Sequence, residues 1–224
     1  MTTIRKHIET CAICGTANEF LVLSSTNAFG SPDLDTRPPE MQRSTINFWV
    51  QRCPMCGYCA PRISENNAIT REQLETDDYR DQLDHGDFPT LANVFLCWSL
   101  LQEQQNQSKG AGWAALHAAW ICDDAHVASA SACRKRAIAM FEQAQTHGDV
   151  FAQDAGAEQA ILADLLRRTG QFEEVKPMCE RGLAKQPSDV ISNVLQYQIH
   201  LASQHDDHCY RISDALEWAK GMQK

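Results

Sequence analysis

The sequence predicts an α+β protein that is mostly helical, with a small metal-binding domain in residues 1–64 followed by an all-helical domain in residues 65–224. Two patterns support this prediction. Both Cys-x-x-Cys pairs and the short strand-forming runs lie before residue 65. From residue 69 onward, apolar residues recur at helical spacing and strand-forming runs are absent. A hydrophobic content of 43% in 224 residues allows one or two domains with packed cores.

The metal-binding prediction depends on two cysteine pairs, each followed directly by a glycine. They are Cys11 and Cys14 before Gly15, and Cys53 and Cys56 before Gly57. Glycine at this position permits the backbone angles of the tight turn that lets both thiols of a pair reach one ion. Two such knuckles form one tetrahedral site of four thiolates, for which zinc is the expected metal. The sequence therefore predicts a zinc ribbon with these four cysteines as ligands of one structural zinc ion.

Other uses of the four cysteines were compared with this one. Iron is the main alternative, because residues 49–57 are similar to the second knuckle of rubredoxin and four thiolates suit either metal. The first knuckle lacks the aromatic residue that follows rubredoxin's glycine. A redox-active dithiol would be expected in a βαβ context, which is not visible. Structural disulfides are not expected, because the chain begins without the apolar stretch of a signal peptide.

Strand-forming runs flank the two knuckles. Residues 20–23 follow the first knuckle and residues 46–50 precede the second, and both runs are short and rich in β-branched or aromatic residues. Between them, residues 30–39 contain glycine and prolines and are interpreted as an extended loop. Asp33 and Asp35 in this loop are expected to cap turns through their own backbone. An alternative is that they orient the metal site or bind a partner.

Three further groups of residues were considered as ligands. Cys59 lies three positions after Cys56 and is interpreted as a spare thiol beside the site, although it could replace a knuckle cysteine or hold a second metal. Two clusters contain histidine and cysteine at close spacing: His205, His208 and Cys209, and His117, Cys122 and His126. The first is expected to be a solvated turn. His117 lies in a helical segment and is expected to be a partly buried histidine without a metal.

The helical part begins with a capping box at residues 70–73, followed by an apolar helix at residues 91–101. Apolar residues at helical spacing then predict two more helices, one containing Trp113, Leu116 and Trp120, the other Ala137, Phe141 and Ala144. One later pair matches the spacing of a tetratricopeptide repeat through Leu162, Leu166, Gly170, Phe172, Val175 and Pro187. Cys179 and Gly182 depart from that pattern. The prediction is a tetratricopeptide-like domain, and an irregular helical bundle is the alternative.

Charge and composition exclude several classes of function. The net charge is −9, and all of the excess acid lies after residue 62, because residues 1–62 carry six basic and five acidic side chains. An acidic body repels phosphate backbones, and the metal-binding part has no basic cluster, so nucleic acid is not an expected partner. No apolar run is long enough to span a membrane. We therefore expect a cytoplasmic protein.

The whole chain resembles a family of bacterial cytoplasmic proteins catalogued as a domain of unknown function. The resemblance rests on the two Cys-x-x-Cys-Gly knuckles, with the second continued by Tyr58 and Ala60, and on the helical segments 139–144 and 165–175. Cys59 departs from it, because a small apolar residue is expected there. The resemblance implies metal binding through Cys11, Cys14, Cys53 and Cys56 and a helical scaffold. It implies no reaction.

No catalytic motif is visible: G-x-S-x-G, G-x-x-x-x-G-K-[ST] and H-E-x-x-H are all missing from the sequence. A site closed by four cysteines also leaves no open coordination position. We therefore expect an adaptor or scaffold that binds a protein or peptide, and no enzyme. The alternative is a metal or redox sensor that uses the cysteine site. An enzyme whose active site forms only in the assembled fold is the third class.

Overall fold

The computed structural model describes residues 2–222 and is mostly helical, which confirms the predicted class at that level. Its four strands are β1 (Thr3–Thr10), β2 (Ala17–Ser25), β3 (Gln51–Arg52) and β4 (Cys59–Ala60). Its α-helices are α1 (Asp77–Leu83), α2 (Thr90–Gln104), α3 (Ser108–Asp124), α4 (Ala130–Thr146), α5 (Ala157–Arg168), α6 (Phe172–Leu183), α7 (Asp189–Ser203) and α8 (Ile212–Met222). Two short 3-10 helices span Arg43–Phe48 and Glu72–Glu75.

The chain divides into two compact units. The first contains Met1–Ala28 and Glu40–Met140, and the second contains Phe29–Pro39 and Phe141–Lys224. Helix α4 begins in the first unit and ends in the second. The division between the two units therefore does not coincide with the predicted domain boundary between residues 64 and 65. That boundary stays a prediction about which part of the chain folds around the metal.

In the first unit, each cysteine pair lies in the turn of a two-stranded antiparallel sheet. Strand β1 pairs with β2, and Thr10 opposite Ala17 closes the hairpin around the first pair. Strand β3 pairs with β4, and Arg52 opposite Cys59 closes the second. Strand β2 confirms the predicted strand at residues 20–23. The sequence did not predict β1, because both faces of this hairpin are largely exposed and its apolar residues do not alternate.

The predicted strand at residues 46–50 is wrong, because most of this run belongs to the 3-10 helix Arg43–Phe48. The hydroxyl of Thr45 donates to the carbonyl of Gln42 at 2.7 Å, and the indole nitrogen of Trp49 donates to that hydroxyl at 3.0 Å. Such local side-chain bonds give the backbone an alternative to a strand ladder. The β-branched and aromatic composition was thus overridden by local hydrogen bonding.

The predicted helices at the start of the helical part are present. The side-chain oxygen of Gln73 accepts the backbone N–H of Thr70 at 2.9 Å, which is half of the expected capping box. The helix that it opens is the 3-10 turn Glu72–Glu75, and α1 follows directly. The predicted apolar helix at residues 91–101 lies within α2, which packs along α3.

In the second unit, α5, α6, α7 and α8 follow one another with short turns. Gly170 has a φ of +78° in the turn between α5 and α6, a conformation that glycine adopts without steric cost. The Phe29–Pro39 segment belongs to this unit through backbone pairing: the N–H of Leu34 donates to Tyr210 O, and the N–H of Ile212 donates to Pro32 O, both at 2.9 Å. Within residues 2–222, no helix is long and apolar enough to cross a membrane.

Candidate metal centre

The first knuckle is a tight turn held by its own backbone. The N–H of Gly15 donates to the carbonyl of Cys11 at 2.9 Å, and the N–H of Cys11 donates to the carbonyl of Thr16 at 3.0 Å. Gly15 has a φ of +73°, which a residue with a side chain rarely adopts. The glycine that the sequence analysis selected is therefore required by the turn.

The second knuckle repeats this geometry. The N–H of Gly57 donates to the carbonyl of Cys53 at 3.0 Å, and the N–H of Cys53 donates to the carbonyl of Tyr58 at 2.8 Å. Gly57 has a φ of +79°. The two turns present their cysteines in the same way, so two thiols from each can approach one point.

The four sulfur atoms lie close together in one cluster. Cys11 Sγ is 3.6 Å from Cys56 Sγ, and Cys14 Sγ is 3.6 Å from Cys53 Sγ. All four ligand atoms lie within 4.8 Å of one another. A tetrahedral ion with metal–sulfur bonds of about 2.3 Å separates its sulfurs by about 3.8 Å, whereas a disulfide needs about 2.05 Å. The cluster therefore fits four thiolates around one metal ion and does not fit two disulfides.

The thiols of the cluster differ in their surroundings. Burial raises the pKa of Cys11 and of Cys56. Hydrogen bonds from the hydroxyl and the backbone N–H of Thr16 lower the pKa of Cys14 to about 6. A metal ion favours the thiolate form of every ligand and so overcomes the cost of burying these sulfurs. Because burial raises the pKa of Cys11 and of Cys56, the thiolate form of these two ligands depends on the ion.

Helix α1 supports the second knuckle from behind. The hydroxyl of Tyr79 donates to the carbonyl of Gly57 at 2.9 Å and accepts the backbone N–H of Cys59 at 3.1 Å. A Cβ atom on Gly57 would lie only 2.6 Å from a methyl carbon of Leu83. Tyr79 was not predicted from the sequence, because a lone tyrosine in a polar helix carries no signal of a contact made twenty-two positions away.

Cys59 is beside the cluster and not part of it. Among the described residues, the only group of potential metal ligands consists of Cys11, Cys14, Cys53 and Cys56. Cys59 is fully buried, and its thiol donates to the carbonyl of Gly57 at 3.3 Å. Its position agrees with the expectation of a spare thiol.

The two histidine clusters do not assemble into metal sites among the described residues. His208 is 80% exposed, with Nδ1 2.9 Å from a carboxylate oxygen of Asp206, and Cys209 is exposed as well, as expected for a solvated turn. His117 is enclosed by the rings of Trp49, Phe95, Trp113 and Trp120 at centroid distances of 4.8–6.3 Å. Desolvation in this aromatic enclosure lowers the pKa of His117 to about 4.

The aspartates of the 30–39 loop have more partners than the sequence predicted. Asp35 accepts the backbone N–H of Arg37 at 3.1 Å, which is the expected turn capping. It also lies 3.6 Å from the guanidinium of Arg168, and its side chain is only 1% exposed. The loop is therefore buried in part at this aspartate.

Comparison with protein-family models, with curated proteins and with solved structures gives no match for this chain. The cysteine cluster and the helical scaffold are thus the observations from which its function must be argued.

Proposed function

We propose that the protein is a zinc-stapled adaptor that binds a peptide or protein partner through a groove on its helical second unit. The observation that carries this proposal is an apolar cavity of about 310 Å³ between α5 and α7. The metal site has the structural role, and the groove has the binding role.

Zinc is supported by the ligand set. Four cysteines from two knuckles make a closed site with no coordination position left for a substrate, which is typical of structural zinc. The first hairpin also buries little apolar surface, since Ile8 is 70% exposed and Leu21 50% exposed, so it needs a staple to stay folded. We infer a zinc ribbon formed by both hairpins.

Iron fits the same sulfur geometry, because iron also takes tetrahedral sites of four thiolates. Elemental analysis of the purified protein separates the two metals. About one zinc per chain is expected. A red-brown protein with one iron per chain and charge-transfer absorbance would make the site rubredoxin-like and contradict the zinc assignment.

The helices of the second unit support a tetratricopeptide-like pairing of α5 with α6 and of α7 with α8. Gly170 makes the turn of the first pair, and Pro187 lies two residues before the start of α7. A Cβ on Gly182 would lie 2.9 Å from side-chain atoms of both Gln159 and Leu195. Gly182 departs from the repeat pattern, but its small size allows α6 to pack closely against its neighbours.

In this arrangement α5 and α7 are the first helices of successive pairs, and they line one groove. Repeat proteins bind their ligands on such extended concave surfaces. The cavity is lined by apolar side chains of both helices together with Leu34, Thr36 and Ile212. Among residues 2–222, its only charged lining residue is Asp154. The helix residues in the lining are Ala157, Ala160, Ile161, Val190, Ile191 and Val194. An aliphatic side chain fits this lining.

The Phe29–Pro39 segment forms one wall of the groove and is firmly placed. Its backbone pairs with the turn before α8, as described above. That turn is fixed by Arg167, which is fully buried and donates to the carbonyl of Asp206 at 2.6 Å. Arg167 also bonds Asp164 and Gln198 at 2.7 Å, so its charge is paired within the core. The groove is thus preformed, which reduces the entropy lost on binding.

The partner that we propose carries an aliphatic residue next to a lysine or arginine. The aliphatic side chain fills the cavity and the basic one lies near Asp154. The acidic surroundings favour such a ligand, and its affinity is expected to fall as salt rises.

Two exposed valines of the second unit provide a matched test. Val190 lines the cavity and is 44% exposed, whereas Val150 is 52% exposed and is not among the lining residues. A displayed peptide library selected on the wild-type protein should yield aliphatic–basic sequences, and calorimetry should measure their binding. Val190→Asp should weaken binding of the selected peptide about tenfold or more, since it buries a charge in the apolar lining. Val150→Asp should leave binding unchanged.

If the selected peptides bind Val190→Asp as well as they bind Val150→Asp, the recognition surface lies outside the groove. A helical signal in circular dichroism identical to that of the wild type checks that each variant is folded. A protein that selects no peptide and loses its metal on mild oxidation would instead favour the sensor alternative.

A further inference from the structure

The sequence analysis grouped Cys122 with two histidines, but the fold gives it another partner. Cys122 lies near the end of α3, and Cys133 lies in the first turn of α4. Their sulfurs are 3.9 Å apart, and neither the metal cluster nor the groove uses them. We propose that Cys122 and Cys133 form a dithiol that hydroperoxides oxidise reversibly to a disulfide.

The turn between the two helices brings the two thiols together. The N–H of Val127 donates to the carbonyl of Cys122, and the N–H of Cys133 donates to the carbonyl of Ser129, both at 3.1 Å. These bonds fold the chain back after only a few residues. A disulfide requires the sulfurs to approach to about 2.05 Å, which rotation of two side chains at helix ends beside a short turn can supply.

The two thiols are chemically unequal. The hydrogen bond from Cys133 lowers the pKa of Cys122 to about 7, with further help from Ser129, whose hydroxyl lies 3.6 Å from the Cys122 sulfur, and from the guanidinium of Arg134. The same pairing and burial raise the pKa of Cys133. The hydroxyl of Ser129 donates to the sulfur of Cys122, so we assign Cys122 as the attacking thiolate and Cys133 as the resolving thiol.

The reaction balances with one hydroperoxide. The Cys122 thiolate attacks the terminal peroxide oxygen, so an S–O bond forms and the O–O bond breaks; the leaving oxygen takes a proton and departs as water or an alcohol. Cys133 then attacks the Cys122 sulfur, so the S–S bond forms, the S–O bond breaks, and the hydroxide leaves as water with the proton of Cys133. Two thiols are oxidised and one peroxide is reduced.

Access is provided by the turn. Both sulfurs are buried, but residues 124–126 and 128 of the turn are exposed, and half-buried Ser129 contacts the Cys122 sulfur. The disulfide would fasten the end of α3 to the start of α4. This inference does not depend on the proposed adaptor role.

Peptide mapping of the full-length protein tests the proposal directly. Trypsin cleaves after Lys109 and after Arg134, so both thiols fall in one peptide, 110–134. After hydrogen peroxide treatment and alkylation, this peptide should lose two hydrogens and resist alkylation, and dithiothreitol should restore both thiols. Cys179, equally buried, should remain alkylatable and serves as the internal control. Two alkylated thiols in 110–134, at a peroxide dose that fully oxidises glutathione, would overturn the proposal.

Variants test the assigned roles. In Cys133→Ala, Cys122 should stop at the sulfenic acid and be labelled by dimedone. In Cys122→Ala, Cys133 should remain unlabelled. Dimedone labelling of Cys133 in the second variant would overturn the assignment of Cys122 as the attacking thiol. The mapping of the wild-type protein stands independently of whether either variant folds.

Discussion

The two cysteine knuckles have the same backbone geometry but different surroundings. The first lies at the end of an exposed hairpin, and a Cβ on Gly15 would meet no atom within 4 Å. The second is packed against α1, where Tyr79 binds its backbone and Leu83 leaves no room beside Gly57. The difference shows that local sequence makes a knuckle, whereas packing decides how much the rest of the fold contributes to holding it.

The first knuckle is therefore expected to depend on the metal, and the second on the metal and on the helices. Isolated two-stranded hairpins are at best marginally stable in water. The following substitutions test this difference, from the largest expected effect to the smallest, and a change of pH closes the series.

Substitution of one metal ligand should show the difference between the two knuckles most clearly. Cys14→Ser and Cys56→Ser should both abolish tight metal binding, because structural zinc contributes about 10–16 kcal/mol of apparent binding energy in small fingers. Far-UV helicity should be largely kept. In both variants, the amides of the β1–β2 hairpin should lose their protection from hydrogen exchange. The amide of Cys59 should keep its protection, because Tyr79 still binds it.

Cys59→Ser is the control, and it should retain about one metal per chain. Loss of the metal in this variant, as complete as in Cys56→Ser, would make Cys59 a ligand. Equal exchange at both knuckles in the metal-free variants would show that α1 gives the second one no independent support.

The glycines test the packing directly. Gly15→Ala should cost about 1 kcal/mol of the free energy of unfolding, the cost of a left-handed backbone with a side chain. Gly57→Ala should cost about 3 kcal/mol, because its Cβ also collides with Leu83. Urea unfolding of the metal-loaded proteins measures both.

A double variant identifies the source of the larger effect. Leu83→Ala should partly relieve Gly57→Ala, so the two changes should be less than additive. Equal effects of the two glycine changes would mean that Leu83 moves aside without cost and that the knuckles do not differ in this respect.

Tyr79→Phe removes the hydroxyl behind the second knuckle. The buried N–H of Cys59 then lacks its acceptor, and the carbonyl of Gly57 loses one donor. The expected loss in the free energy of unfolding is about 1–3 kcal/mol. Tyr58→Phe is the comparison. The Tyr58 side chain is buried as well, but its hydroxyl donates to the carbonyl of Glu65 and accepts from the amide of Asn67, and water can reach these two residues and replace the hydroxyl. A smaller loss of stability in urea is expected there. A reversed order would show that α1 supports the second knuckle only weakly.

The last test is a change of pH. Trp49, shortly before the second knuckle, packs edge-on against His117, whose pKa is lowered to about 4. The folded protein keeps this histidine neutral while the unfolded chain protonates it near its ordinary value. Stability should therefore be full above pH 6.5 and fall by about 1.4 kcal/mol per pH unit between there and pH 4. The midpoint of urea unfolding measured against pH reports this slope.

His117→Gln should flatten the slope in that window, and His147→Gln, at an exposed position, should not. An unchanged slope in His117→Gln would assign the acid sensitivity to the metal site, whose thiolates also take up protons.

The helices and knuckles were predictable because their determinants are local. Helical periodicity located α2 and α3, and glycine after each cysteine pair identified the turns with positive φ. Residues 46–50 had the composition of a strand but form a 3-10 turn, because Thr45 and Trp49 bond nearby groups. Strand β1 was missed because an exposed hairpin has no apolar alternation.

By itself, the sequence determined which four cysteines can share one ion, since spacing and glycine fix that locally, and that the rest of the chain is helical. Only the tertiary structure decided that α1 supports one knuckle and not the other, that Asp35 is buried beside Arg168, and that Cys122 meets Cys133. The local sequence around each of these residues would fit a solvent-exposed position equally well, so it does not predict the contact. A buried charge or thiol becomes favourable only when its partner arrives from another segment, and a single sequence does not reveal that partner.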